Sequence, residues 1–237
     1  MKEFWNKEYK TGEHLTLSKE PSSDLITFAR WAQRNAEWDP FPKGGVVLDL
    51  GCGNGRNIIN LCEAFQMKGF GIDISETAIE QAKEELKRKS KENLKKPLSI
   101  EFKAQSLTES IDVSPGSVDV VLDMMTSHFL NSSQRERLLK EILKMLKPYG
   151  WLFFKTFILD DDAHAKRLIS EHPGKEPNSY IHPQIKTEEY VWTISKIHEF
   201  FGPHFKIHKA IRSYKHRVNG QPFKRRTVSV YMEKKGQ

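Results

Sequence analysis

The chain has 237 residues, 38% of them hydrophobic, and a net charge of +7. A mean hydropathy of -0.61, with no apolar run near the ~20 residues that span a bilayer, excludes a membrane-spanning protein. The length suits one α/β domain with a self-sufficient core. Met1-Lys2-Glu3-Phe4-Trp5 has no apolar signal segment, which predicts a cytoplasmic protein.

Residues 1–20 carry Phe4, Trp5 and Tyr9 among charges, with little periodicity. Pro21-Ser22-Ser23-Asp24 supplies turn and cap chemistry, and Leu25, Phe28, Ala29, Ala32 and Ala36 predict a helix from about 23 to 37. Pro40, Pro42, Gly44 and Gly45 then lead into Val46-Val47-Leu48-Asp49-Leu50, an unbroken apolar run ended by Gly51-Cys52-Gly53-Asn54-Gly55. This pattern reads as a buried parallel strand turning into a helix whose free N–H groups face a ligand. Glycines let the backbone turn sharply and approach that ligand closely.

From Gly51 the spacing is G-x-G-x-G, with Arg56 where a dinucleotide fingerprint needs glycine. With Asp49 the stretch reads D-x-G-x-G-x-G, and it resembles motif I of the class I S-adenosylmethionine (SAM)-dependent methyltransferases. Ile58, Leu61, Cys62 and Phe65 mark the helix that follows, and Gly69 to Ile74 reads as the second strand. Asp73 ends that strand about 20 residues past the glycines, where an acid accepts both hydroxyls of a ribose. Its plainer role is to cap the helix that Ser75 opens, which runs to about 91 with Ala78, Ile79, Ala82 and Leu86 inward. Neither Cys52 nor Cys62 has metal-finger spacing or suggests a disulfide.

Leu98 to Lys103 forms a third strand, followed by Ala104-Gln105-Ser106-Leu107, where the family often has an acid that contacts adenine. Here Gln105 or Ser106 stands in that place. Val118 to Asp123 is the fourth strand, and its end, Asp123-Met124-Met125-Thr126-Ser127-His128, lies where ligands gather in open α/β sheets. Ser133 and Glu136 make an S-x-x-E capping box for a helix stopped by Pro148 and Gly150, and Trp151 to Ile158 is the fifth strand. Residues 159–186 form a polar loop expected to cover substrate; its acids and histidines match no metal-ligand spacing. Thr187 to Phe201 reads as an amphipathic helix, and two strands, about 204–213 and 226–234, suggest a closing antiparallel hairpin.

The resemblance covers about residues 46–157. It implies a Rossmann-like, seven-stranded, mostly parallel sheet with helices on both faces and a C-terminal antiparallel hairpin. It also implies one domain: a helical cap segment (1–42), a SAM-binding core (46–157), a substrate-side insertion (158–186) and a C-terminal helix and hairpin (187–237). Transferred residue by residue, it assigns SAM contacts to Asp49, Gly51, Gly53, Gly55, Asn57, Asp73, Ile74, Ser106, Leu107 and Asp123. Asp123 and His128 become the acid/base candidates and Trp5 or Tyr9 part of a lid, while Tyr180 and His182 are read as substrate contacts from their place in the 159–186 loop. No metal is implied.

The acceptor is approached by elimination. Asp123-Met124-Met125-Thr126 is not the Asn/Asp-Pro-Pro-aromatic turn of enzymes that methylate amino groups of adenine, cytosine or glutamine. No cysteine beyond Cys62 is present to attack cytosine, and Asp123 with Lys155 imitates only half of a ribose-methylating tetrad. A small-molecule acceptor is favoured. The alternative is RNA, bound through the basic region 206–226, which has eight cations, Tyr214 and Phe223 and no acid. A third reading is a SAM-binding protein without catalysis.

Overall fold

The computed structural model describes residues 1–14, 17–92, 98–213, 217–219, 221–222 and 224–236. Helices α1 (Lys2–Thr11) and α2 (Ser23–Asn35) precede β1 (Val46–Leu50), α3 (Arg56–Phe65), β2 (Lys68–Asp73), α4 (Glu76–Glu92), β3 (Ser99–Ala104) and β4 (Val118–Met124). After a single 3₁₀ turn (Ser127–Phe129) come α5 (Ser132–Met145), β5 (Leu146–Phe157), α6 (Ala163–Glu171), β6 (Ser179–Ile181) and β7 (Glu188–Tyr190). The chain closes with α7 (Ile194–Phe201), β8 (Phe205–Arg212), β9 (Arg217–Val218), β10 (Gln221–Pro222) and β11 (Thr227–Lys234).

Seven strands form one sheet in the order β3-β2-β1-β4-β5-β11-β8. Strands β1 to β5 are parallel, and β11 runs antiparallel to β5 and β8, which gives the closing hairpin. Successive side chains of a strand point to opposite faces, so β5 feeds two cores. Leu152 and Phe154 pack with Leu138 and Ile142 of α5 and Phe201 of α7. Trp151 and Phe153 pack on the other face with Phe28 of α2 and Ile58 and Cys62 of α3. Phe28 stacks on Phe153 with ring centroids 4.8 Å apart, and burial of such a side chain contributes about 1.5–3 kcal/mol. The strand order reverses at β1, between β2 and β4, and that reversal opens a crevice at the carboxyl ends of these strands.

Several elements differ from their sequence reading. Residues 2–11 form a helix, because α1 is held by tertiary contacts with α4: Lys2 pairs with Glu76, and Gln81 Nε2 donates to the Tyr9 carbonyl at 2.8 Å. The capping box of α5 is Asn131 with Gln134, not Ser133 with Glu136. The Asn131 side chain accepts from the Gln134 N–H, and Gln134 reaches back to the Asn131 N–H. Asn is as good a cap as Ser, and the box lies two residues earlier. Strand β5 begins at Leu146, directly after α5, where a register shift between Val118 and Val120 on β4 accommodates Pro148 and Gly150.

The segment 159–186 is not a bare loop. Asp162 caps α6 by accepting from the His164 and Ala165 N–H groups, and β6 pairs with β7. The predicted helix 187–201 is accordingly shorter. Its first part is β7, and Thr193 caps α7 by accepting from the Lys196 N–H. The expected contacts of Tyr214 and Phe223 lie outside the described residues. Among the described residues no helix is long and apolar enough to cross a membrane.

Candidate active site

At the reversal of strand order β1 ends in three glycines with positive φ, Gly51 (74°), Gly53 (54°) and Gly55 (76°). The N–H groups of Gly51 and Cys52 both donate to the Ile72 carbonyl, at 2.7 and 2.9 Å, so the turn is fastened to the end of β2. A Cβ on Gly51 would lie 2.3 Å from the Thr126 side chain, and one on Gly53 2.3 Å from the Tyr9 hydroxyl. Gly55 has another task. Its missing Cβ admits Phe102 and Ala82, so α3 packs closely on β3 and α4.

The turn borders a cavity of about 460 Å³, within the range of small-ligand sites. Of the residues assigned to SAM by resemblance, Gly51, Gly53, Asn57, Asp73, Ile74, Ser106 and Leu107 line it. Asp49, Gly55, Asp123, His128, Tyr180 and His182 do not line it. The Asp73 carboxylate is held from both sides. One oxygen accepts from the Gly53 N–H at 2.9 Å, the other from the Ser75 N–H at 2.8 Å. Burial pushes its pKa up, and those backbone hydrogen bonds oppose the rise. Ser75 is itself the helix cap, accepting from the Ala78 N–H.

At the β3 end Ser106 faces the cavity and shares a 2.8 Å hydrogen bond with Thr108. Gln105 turns away, donating to the Ser110 carbonyl at 2.7 Å. The end of β4 also differs from expectation. Asp123 is buried and accepts from the Ser127 N–H at 3.1 Å, so it shapes the turn that carries Met125 at a φ of 62°. Burial raises its pKa to about 6. His128 is buried between Phe129 and Phe157, and burial holds its pKa well below the ordinary histidine value. Lys155 pairs with Asp24 of α2.

The insertion stands behind this wall instead of covering the cavity. The Tyr180 hydroxyl donates to buried Glu189 at 2.6 Å, and His182 Nδ1 accepts from the Gln184 and Ile185 N–H groups inside its own turn. The cover comes from the N-terminal segment. Trp5, Tyr9, Leu17 and Ser18 line the cavity, and side chains of the glycine turn strap the segment down. Asn54 donates to the Ser18 carbonyl, Arg56 donates to the Glu20 carbonyl, and Asn57 accepts from the Ser22 N–H. The sequence signal for this cover was the i,i+4 spacing of Trp5 and Tyr9, which puts both on one helical face. Nothing local signalled the strap, because its partners lie 35 or 36 residues away.

Asp49 lies beneath the turn, 1% exposed, and its Oδ2 has no hydrogen-bond partner among the described residues. Burial, then the neighbouring Asp73 and Asp123, raises its pKa to about 8. A carboxyl with a raised folded pKa holds its proton more tightly when folded. Stability therefore falls as pH climbs from about 4, the unfolded value, through about 8. Asp49→Asn is expected to flatten this slope and to gain stability over the parent above pH ~7, at about 1.4 kcal/mol per displaced pKa unit. Urea denaturation across that pH range checks it; parallel slopes for the two proteins count against it.

A seven-stranded sheet with this strand order, a glycine turn at the reversal and a held acid at the end of β2 defines a nucleoside-binding α/β domain. Residues 47–150 match the model of a methyltransferase-domain family. Over this region the chain is similar to methyltransferase domains, in keeping with its resemblance to the class I SAM-dependent enzymes.

Among curated proteins, the ubiquinone biosynthesis O-methyltransferase of Chromobacterium violaceum is 30% identical over 127 residues, 53% of this chain and 50% of that protein. The chain spans about half the length, or less, of the curated relatives it matches. Among solved structures, a SAM-dependent methyltransferase from Methanosarcina mazei superposes with a TM-score of 0.67 at 21% identity, over 83% of this chain and 96% of that one. The 1,6-didemethyltoxoflavin-N1-methyltransferase of Burkholderia thailandensis, solved with S-adenosylhomocysteine (SAH), superposes with a TM-score of 0.66 at 15% identity, over 97% and 84%. These structures share the fold.

Proposed function

We propose that this chain is a cytoplasmic enzyme that uses SAM to methylate a small molecule. The observation that carries the reading is the Asp73 carboxylate, fixed by the Gly53 and Ser75 N–H groups at the rim of the cavity. Its remaining lone pairs suit the two hydroxyls of a ribose. SAM, when bound, supplies an electrophilic methyl group on a sulfonium.

The residues present fit that group. Ser106, Leu107 and Ile74 suit the adenine end, and the glycines let the backbone approach the methionine end. The unpartnered Oδ2 of Asp49, beneath the turn, suits a water that relays to an ammonium, and Arg56 supplies a cation for a carboxylate. The chain's contribution to rate is alignment and exclusion of water under the Trp5–Tyr9 cover. Cys52 and Cys62 are free and buried, compatible with a reducing compartment.

The disposition of the basic residues favours a small molecule over RNA. Arg225 pairs with Glu189, Arg212 with Asp160 and Asp161, and Arg226 with Asp161. Lys209 lies over the Trp31 ring. At least four of the eight cations that suggested a phosphate track thus have partners within the fold.

The test is incubation of the full chain with labelled SAM and either the small-molecule or the RNA fraction of a cell extract. Label is expected in the small-molecule fraction alone, and a salt-sensitive transfer to RNA would reverse the preference. SAM binding with no transfer to either would favour the non-catalytic reading.

A further inference from the structure

The half of the cavity beyond β4, on the side of β1 away from Asp73, is walled by Trp5, Met125, Phe129 and Leu130. The Trp5 indole meets the Phe129 ring edge to face, with centroids 5.5 Å apart. This wall is mainly apolar; the same stretch also brings Thr126, whose hydroxyl donates to the Met124 carbonyl, and Gln134, whose side-chain oxygen accepts from the Asn131 N–H, to the cavity. Among the described residues, the ionisable groups lining the whole cavity are the side chains of Tyr9, Cys52, Arg56 and Asp73, and Met1 with its α-amino group, whose neighbour Lys2 pairs with Glu76 on the Asp73 side.

None of the four side chains is a free base beside that wall. Arg56 is a cation occupied with the Glu20 carbonyl, and Asp73 holds two backbone N–H groups at the other end. Burial keeps the Tyr9 phenol and the Cys52 thiol protonated. Asp123 and His128 stand behind the wall, the one tied to the Ser127 N–H and the other packed on Phe129 at 4.1 Å between ring centroids. An alcohol or phenol acceptor has to shed its proton to a positioned base as it reacts, and a charged acceptor has to be desolvated without a partner.

Building on the methyl-transfer reading, we propose that this half of the cavity takes a neutral aromatic molecule held against the Trp5 and Phe129 rings. Its methyl-accepting atom is a ring-borne nitrogen or sulfur whose lone pair is free at neutral pH. That lone pair forms the new bond to the methyl carbon while the carbon–sulfonium bond breaks. The broken bond's electron pair stays on the sulfur of departing SAH; a methylated amine nitrogen then gives its N–H proton to water, whereas a thioether sulfur remains as a sulfonium.

The test uses the full chain, SAM and three probes with one ring system, naphthylamine, methyl naphthyl sulfide and naphthol, together with a sulfonated naphthylamine. The amine and the sulfide are expected to be methylated, with naphthol slower by ~100-fold for want of a base. The sulfonated amine is expected to show a KM raised by at least ~10-fold from its unpaired charge. Fluorescence of naphthylamine on the SAH-loaded protein gives a readout independent of turnover. Trp5→Ala should weaken that binding by at least ~10-fold, with SAH affinity kept within about twofold, and Trp5→Phe should restore most of it.

Equal rates for naphthol, equal KM for the sulfonated probe, or probe binding indifferent to Trp5→Ala would overturn the assignment. Calorimetry with SAH on the same sample separates the two levels. SAH bound with none of the probes methylated overturns the acceptor class alone, whereas no SAH binding overturns the methyl-transfer reading as well.

Discussion

Asp73→Ala is expected to weaken SAM binding by at least ~100-fold. Each hydrogen bond to a charged group contributes about 1.5–3 kcal/mol, so two ribose hydroxyls account for about 3–6 kcal/mol, and every 1.4 kcal/mol is about tenfold in affinity. The variant also frees the Gly53 and Ser75 N–H groups that the carboxylate now holds, which loosens the glycine turn. Asp73→Asn keeps an acceptor but loses the charge, and is expected to fall between the two. Calorimetric titration with SAM and SAH checks the series. An Asp73→Ala protein that folds and binds SAM within about threefold of the parent would remove the main support for the cofactor site.

Arg225→Ala is expected to cost the fold about 3–5 kcal/mol, because it strands a buried carboxylate. Glu189, 2% exposed at its side chain, is paired to Arg225 and accepts the Tyr180 hydroxyl. Burial pushes the Glu189 carboxyl upward and the Arg225 guanidinium downward, to about 10. The guanidinium also lies 3.5 Å from the centre of the Phe157 ring, a contact that adds to the pair. Replacing both partners with leucine is expected to recover much of the loss, since a well-packed apolar pair avoids the desolvation cost.

Urea denaturation of the single and double variants measures this, and a single variant within about 1 kcal/mol of the parent would show that the pair is dispensable. The effect should reach the cavity. His128, which the Arg225 charge reaches, packs on Phe129, and Arg135 braces the same wall through the Leu130 carbonyl and the Tyr190 ring.

The strand Val46 to Leu50, the glycine turn and Asp73 were legible because their signals are local. A β-branched apolar run, glycines at fixed spacing and an acid at a strand end report on their own backbone. The alternation of strand and helix indicated a parallel sheet, since parallel strands need crossovers, and the seven-stranded architecture was implied by the family resemblance. Errors of local detail, such as the capping box at Asn131 and the start of α7 at Ile194, arose where two residues of similar propensity competed for one position.

The division of labour around the cavity was decided by tertiary structure. Asp123, His128 and Tyr180 carry the residue types that chemistry uses, yet the fold buries all three away from the cavity as supports for its wall. Trp5, Tyr9, Arg56 and Phe129 face the cavity instead. A residue's type and its neighbours in sequence determine which element it joins and how that element is capped. Which way its side chain points, and whether its charge is spent on a partner such as Glu189, 36 residues from Arg225, depends on packing between segments distant in the chain. For this protein the sequence by itself determined the opening strand, the glycine turn and the acid at the end of β2, because those signals are local, whereas only the tertiary structure decided which side chains face the cavity, because that depends on packing between distant segments.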